Sequence, residues 1–151
     1  MGETGKEVQA MILQDLYVYF KTDATLSGLL GNSSSIYVIQ APTITGTPKM
    51  PWVLLEVTSG SRTKISQTKM EEIAYARISV DAGPTQINKG QQIIERCQVM
   101  LENLRGVITT ATDVHVTVGA IRGWAGFNEA YRYQFDATIR FTEDYTQPPV
   151  I

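Results

Sequence analysis

The residues able to do chemistry are few, and their spacing does not assemble a reaction. His115 is the one histidine and Cys97 the one cysteine among 151 residues. His115 falls in an alternating run between Val114 and Val116, which places it on the opposite, wet face of a strand. Zinc takes three or four convergent ligands, and neither residue has a cluster of carboxylates near it in the sequence. A Ser–His or Cys–His nucleophile pair would have to use that same His115, and no G-x-S-x-G elbow occurs. Gly119, Gly123 and Gly126 have the wrong spacing for a phosphate loop or a dinucleotide fingerprint. Glu71-Glu72 and Glu143-Asp144 are paired in sequence only, at strand ends where carboxylates are ordinarily solvated. No catalytic, metal-binding or cofactor-binding residue is expected, and no enzyme. What remains is charge. Arg62, Lys64 and Lys69 place three cations and no acid in one polar stretch. On one chain that is a weak patch; repeated around a ring it becomes a positive belt that touches phosphates without reading sequence.

The elements that position these residues follow from periodicity. From Pro84 to Arg105 the sequence predicts a long helix with Ile87, Gly90, Ile94, Cys97, Leu101 and Leu104 on one face, widened by Ile93 and Met100. Gly83-Pro84-Thr85 marks its start, and Arg105-Gly106 its end. Gly90 costs roughly 1 kcal/mol against alanine inside a helix. Its place in the buried stripe therefore predicts close approach of the helix backbone to a sheet. Cys97, in the same stripe, reads as a small core residue.

Lys6 to Lys21 reads as a first helix. Val8, Ile12, Leu13, Leu16, Tyr19 and Phe20 share a broad face, with a smaller strip of Met11 and Val18 on the far side. Asp23 to Gly31 is a turn or short helix. Strands are expected at Ile36–Ile39, Trp52–Val57, Glu72–Ala82, Val114–Ile121 and Tyr131–Phe141, the last with the cleanest alternation. The polar connection Thr58–Met70 exceeds the usual hairpin loop of about 2–5 residues, so it is either mobile or a long hairpin arm. Arg122 to Asn128 is a glycine-bracketed turn, and Ala41–Pro51 a proline-rich loop. The tail from Glu143, with Pro148-Pro149, is an extended arm.

This order predicts one α+β domain over residues 1–151, with a core at 6–144. It has a mostly antiparallel sheet of about four to five strands, two helices packed on one face, a long hairpin loop and an extended C-terminal arm at 145–151. With 43% hydrophobic residues the chain can bury a real core, and its net charge of −2 creates no global field for nucleic acid or anionic membrane. No apolar run approaches the ~20 residues that span a bilayer. The N-terminus lacks the apolar stretch of a signal peptide, so a soluble product of the cell interior is expected.

The arrangement resembles the tail-completion, or tail terminator and head-to-tail joining, proteins of long-tailed bacteriophages. The resemblance is carried by an amphipathic first helix, the short strand Ile36-Tyr37-Val38 and the proline-led strand Pro51-Trp52-Val53-Leu54-Leu55. It continues through Ala76-Arg77-Ile78-Ser79-Val80-Asp81, which feeds by way of Gly83-Pro84 into a long helix, to the aromatic strand Tyr131–Phe141. It covers about Lys6 to Asp144. The Ala41–Met50 segment and the C-terminal arm are longer than that pattern.

The resemblance implies a virion structural protein: a homo-oligomeric ring, commonly a hexamer, in the neck or at the top of the tail, assembled in the host cytoplasm. Its partners would be the tail-tube protein and the head connector, without a membrane. Arg62, Lys64 and Lys69 would then border the DNA in the lumen. Subunit or partner contacts would fall at Met11, Tyr17 and Val18, at Trp124 and Phe127, and at Tyr145 of the arm. An alternative is a small ligand- or peptide-binding module with the Trp124/Phe127 turn as its pocket wall.

Overall fold

Rows of apolar side chains crossing one face of a sheet set the architecture. The computed structural model describes residues 5–31, 35–38, 50–104, 111–125 and 130–144. Along the chain lie α1 (Gly5–Thr22), α2 (Ala24–Leu30), β1 (Ile36–Val38), β2 (Trp52–Lys64), β3 (Lys69–Ala82), α3 (Ile87–Glu102), β4 (Ala111–Val118), β5 (Arg122–Ala125) and β6 (Tyr131–Asp144). The six strands form one sheet in the order β1-β2-β3-β6-β4, and β5 pairs with β6. Only the three-residue β1 runs parallel to its neighbour; the other pairings are antiparallel. The fold is α+β, as the sequence pattern predicts.

Register explains the core. Val53, Val80 and Tyr133 align across β2, β3 and β6; Leu55, Ile78 and Phe135 form the next row, then Val57, Ala76 and Ala137. These residues are buried against Ile12, Leu16 and Phe20 of α1, Leu26 and Leu30 of α2, and Ile93, Ile94, Cys97 and Leu101 of α3. All three helices therefore lie on one side of the sheet. Each large aliphatic or aromatic side chain so buried contributes about 1.5–3 kcal/mol of transfer free energy. The Tyr19 hydroxyl donates to the Met100 carbonyl at 3.0 Å and ties α1 to α3. Asp23 caps α2 by accepting from Leu26 N–H at 2.8 Å, and Gly31 ends that helix at a left-handed φ of 85°.

Gly90 behaves as its place in the stripe predicts. A methyl group there would lie 2.7 Å from Ala82 Cβ and 3.2 Å from Tyr133 Cε2, so the bare backbone is what lets α3 settle on the sheet. The start of that helix differs from expectation. Pro84 and Thr85 form a turn, closed by the Gln86 N–H on the Gly83 carbonyl at 2.9 Å, and the helix begins at Ile87. Proline's fixed φ suits the second position of such a turn as well as a first helical turn. Ile87, expected in the buried stripe, is exposed at that free end. Arg105 and Gly106, read as the helix stop, lie outside the described residues; Asn103 caps the helix through backbone bonds to Val99 and Met100.

Of the two readings the sequence left open for Thr58–Met70, mobile segment or long hairpin, the hairpin is the one observed. Most of this segment is strand, with only residues 65–68 left as a turn. It is a hairpin, yet not a free arm: β6 runs beside β3 along its full length, from Ala82 opposite Tyr131 to Lys69 opposite Asp144. Polar residues with weak strand preference are held there by the neighbouring ladder. The same pairing keeps Glu143 and Asp144 in β6, where the sequence suggested an arm. Arg122–Ala125, read as a turn, is the short strand β5, which adds a sixth strand to the expected four or five. Residues 39–49 and 145–151, the proline-rich loop and the C-terminal arm of the sequence reading, lie outside the described set.

Candidate functional site

The sheet face turned away from the helices carries the polar groups that could meet a partner. Side chains alternate between faces, so the even-numbered residues of β6 and their cross-strand partners share this surface. Trp52, Asp81, Arg132 and Trp124 occupy one row. There Asp81 accepts from Trp52 Nε1 at 2.8 Å, and from Arg132 Nε at 2.7 Å and Nη2 at 2.8 Å. This bidentate bond holds the guanidinium even further above its ordinary pKa. In the next row Gln134 Nε2 donates to Ser79 Oγ at 2.8 Å, and Arg122 Nη2 donates to Gln134 Oε1 at 3.2 Å. In the third row Asp136 takes two guanidiniums, Arg77 Nε at 2.9 Å and Arg122 Nη2 at 3.2 Å.

Below these ion pairs the face opens. A groove of about 560 Å³ is lined by Glu56, Thr58, Tyr75, Arg77, Thr117 and Thr138, with Asp136 at its upper side. Tyr75 is 50% exposed in it. A second cleft of about 390 Å³ continues from Thr117 and Thr138 to His115 and Arg140. His115 is on the wet face, as the alternation requires, opposite Arg140. Among the described residues no three or more histidine, cysteine or acidic side chains converge as a metal set. Cys97 is wholly buried in α3, and burial pushes its thiol pKa strongly upward.

The three cations singled out from the sequence do not form one patch. A one-residue bulge in β2 between Ser59 and Arg62 brings Arg62 opposite Glu72 on the helix side. Its Nε lies 2.8 Å from Glu72 Oε1. Gly60 makes the bulge feasible: a Cβ there would lie 2.5 Å from the Ile73 carbonyl oxygen. Lys64 shares the Arg62 side, whereas Lys69, on β3, faces the other way. Both lysines are exposed beside the turn, where Ile65 is 55% exposed.

Of the expected contact residues, Val18 is exposed on α1, and Tyr17 lies beside it under the Lys21 ammonium, 5.4 Å from the ring centroid. Trp124 is 41% exposed on β5. The Met11 side chain, Phe127 and Tyr145 lie outside the described residues. The ion-pair rows were missed in the sequence because their members are far apart along the chain, as with Asp81 and Arg132. The wet-face alternation of β6 was the one signal pointing to them.

No family model matches the chain, and no curated protein matches it. Among solved structures, a chain from the virion of a native gene transfer agent particle is similar to it. The TM-score is 0.50 at 14% identity, over 86% of this chain and 92% of that chain. At that identity the likeness is one of fold. No described helix is long and apolar enough to cross a membrane.

Proposed function

We propose that the chain is a structural subunit of a virion, acting by shape and contact and not by catalysis. Within that class it is a tail-completion subunit, in the neck or at the top of the tail, that forms a ring of about six copies by its resemblance to that family. The observation that carries the reading is the correspondence of fold with a virion chain over 86% of this chain and 92% of the other. Other features are consistent with it. A closed ring of identical subunits needs two different, complementary surfaces on each. The sheet offers two unlike edges, the short parallel β1 on one side and β4 with β5 on the other. The exposed Ile65 turn and the Tyr17–Val18 side of α1 are surfaces for the tail-tube protein and the head connector, with DNA passing through the lumen.

The first experiment is light scattering of the purified protein over a concentration series at two salt levels, alone and with tail-tube protein. A discrete species several times 16.7 kDa supports the ring. A monomer that persists with the tail-tube protein present overturns it. Deleting residues 60–69 is a poor test of the hairpin, because it removes Arg62 and the strand around it. Ile65→Glu keeps the ladder and should give a folded protein that no longer joins tails to heads; normal joining would remove the turn from the mechanism.

The open groove favours one other reading, a peptide-binding module. Its wall would then be Tyr75, and not the Trp124/Phe127 turn that the sequence suggested. A Tyr75→Ala variant that joins heads and tails normally, yet loses an identified peptide ligand, would establish that reading in place of the ring.

A further inference from the structure

The structure describes six of the chain's arginines, and five of them have carboxylate partners: Arg62 with Glu72, Arg77 and Arg122 with Asp136, Arg96 with Asp23, and Arg132 with Asp81. Arg140 has none among the described residues. It stands exposed on β6 with hydrogen-bond donors around it. His115 of β4 is its cross-strand partner, and one step along the ladder Thr117 faces Thr138. These four side chains line the 390 Å³ cleft with no carboxylate among them. Opposite residues in an antiparallel pair lie about 5 Å apart, and alternate residues along a strand about 7 Å apart. The block they define has the scale of a single tetrahedral oxyanion. Asp136, four residues from Arg140 on β6, is already held by Arg77 and Arg122. Among the described residues two other acids compete: Asp113, exposed at the bulge in β4, and Glu71 of β3, which stands opposite Thr142 on the face that Arg140 shares.

We propose that His115, Thr117, Thr138 and Arg140 form a binding site for a phosphate oxyanion, carried by a nucleic-acid backbone or by a free phosphate group. The Arg140 guanidinium supplies a two-pronged donor for two phosphate oxygens. The threonine hydroxyls and an imidazole N–H supply single donors around it. The inference rests on this donor set and not on the ring: a lone subunit has the whole site. It also moves the phosphate contact away from Arg62, whose guanidinium is turned to Glu72.

Two titrations of the full chain test it. In one, a short labelled DNA duplex is followed by fluorescence anisotropy over a salt series. In the other, inorganic phosphate is followed by the NMR amide signals of residues 115, 117, 138 and 140 at constant ionic strength. Duplex binding that weakens with salt, with Arg140→Gln lowering the log–log slope by about 1, assigns the site to a nucleic-acid backbone. Saturable shifts at the four residues with phosphate, without duplex binding, assign it to a free phosphate group. In either case Asp113→Asn, which keeps a side chain tolerant of the left-handed φ of 51° there, should tighten binding. Lys89→Gln, on the helix side, should leave it unchanged. The proposal is overturned if neither ligand perturbs these residues, or if Arg140→Gln binds both as the unmodified chain does. Either result is independent of whether the protein joins heads to tails.

Discussion

Arg62 and Glu72 meet at 2.8 Å across the β2–β3 hairpin, on the side of the sheet that carries the helices. Glu72 is 2% exposed and stands opposite Phe141 of β6. Were the Ser59–Ala74 register to continue unbulged, Ser61 would stand opposite Glu72 and the carboxylate would face no guanidinium. Arg62→Ala should therefore destabilise the fold by about 3 kcal/mol, the usual cost of leaving one partner of a buried pair. The double change Arg62→Met with Glu72→Leu should recover most of that loss, since a well-packed apolar pair often equals a buried ionic one. Lys64→Ala, at the exposed end of the same strand, should stay within about 0.5 kcal/mol. Urea denaturation of the three variants separates these outcomes. An Arg62→Ala protein as stable as the unmodified chain would show that the bulge does not serve this pair.

Gly90 lies between helix propensity and packing, which act in opposite directions. Alanine at this position would favour the helix by roughly 1 kcal/mol. Its methyl group would also sit 2.7 Å from Ala82 Cβ and close to the Tyr133 ring, whose other edge would lie 3.2 Å from a Cβ at Gly123 of β5. The Tyr133 hydroxyl also donates to the Ile87 carbonyl at 3.2 Å, which limits how far the ring can yield. Gly90→Ala should thus be net destabilising by about 1–2 kcal/mol, since overpacking a filled core costs about 1–3 kcal/mol. Thermal melts of Gly90→Ala and of Gly90→Ala with Tyr133→Leu test the cause. The second change should reduce the penalty of the first.

Asp23 gives the fold a pH dependence with a definite sign. Its carboxyl is held below its ordinary value of 3.8, chiefly by the hydrogen bonds from Arg96; burial works against them, and Leu26 N–H adds to them. A group whose pKa is depressed on folding stabilises the protein above its unfolded value, and that contribution is lost as pH falls through the folded value. Asp23→Asn keeps a good helix cap but removes the charge that Arg96 binds at 2.7 Å. The variant should be less stable by about 1–2 kcal/mol at neutral pH. The gap should narrow as pH falls from the ordinary carboxyl value of 3.8 and close once it has passed the lower, folded value. Melting temperatures of both proteins over an acid pH series would show it, and a gap independent of pH would place the effect in the cap instead.

The helices and the central strands were legible in the sequence because their periodicities are long and their buried faces nearly uniform. Tyr131 to Phe141 alternates without a break, and Gly90 announced a close approach before its neighbours were known. Thr58 to Met70 was not legible as strand. Gly60, Ser61 and Ser66 have weak strand preference, and the segment is ordered by β3 and, through β3, by β6, a partner about seventy residues away in the chain. The site suffered more. Whether a cation is free or paired depends on register, and one bulge decides it for Arg62. Glu72 looked solvated for the same reason, since it is the sheet register that sets it between Arg62 of β2 and Phe141 of β6.

Cys97 offers a direct reading of how the core opens. Its side chain is wholly buried and its thiol pKa is raised strongly, mainly by burial, so in the folded chain it is neither accessible nor ionised near neutral pH. An aromatic disulfide reagent should modify it only in molecules that have opened. For a domain of ordinary stability that slows labelling at least about a thousandfold relative to the denatured chain. Two routes of opening make different demands. If α3 lifts from the sheet by itself, labelling should be indifferent to the hairpin. If the domain opens as one unit, Arg62→Ala should speed labelling about a hundredfold, the factor that corresponds to its expected 3 kcal/mol. The continuous ladder from β2 through β3 to β6, with α3 seated on β3 and β6, supports the second route. Equal labelling rates for Arg62→Ala and the unmodified chain would establish the first.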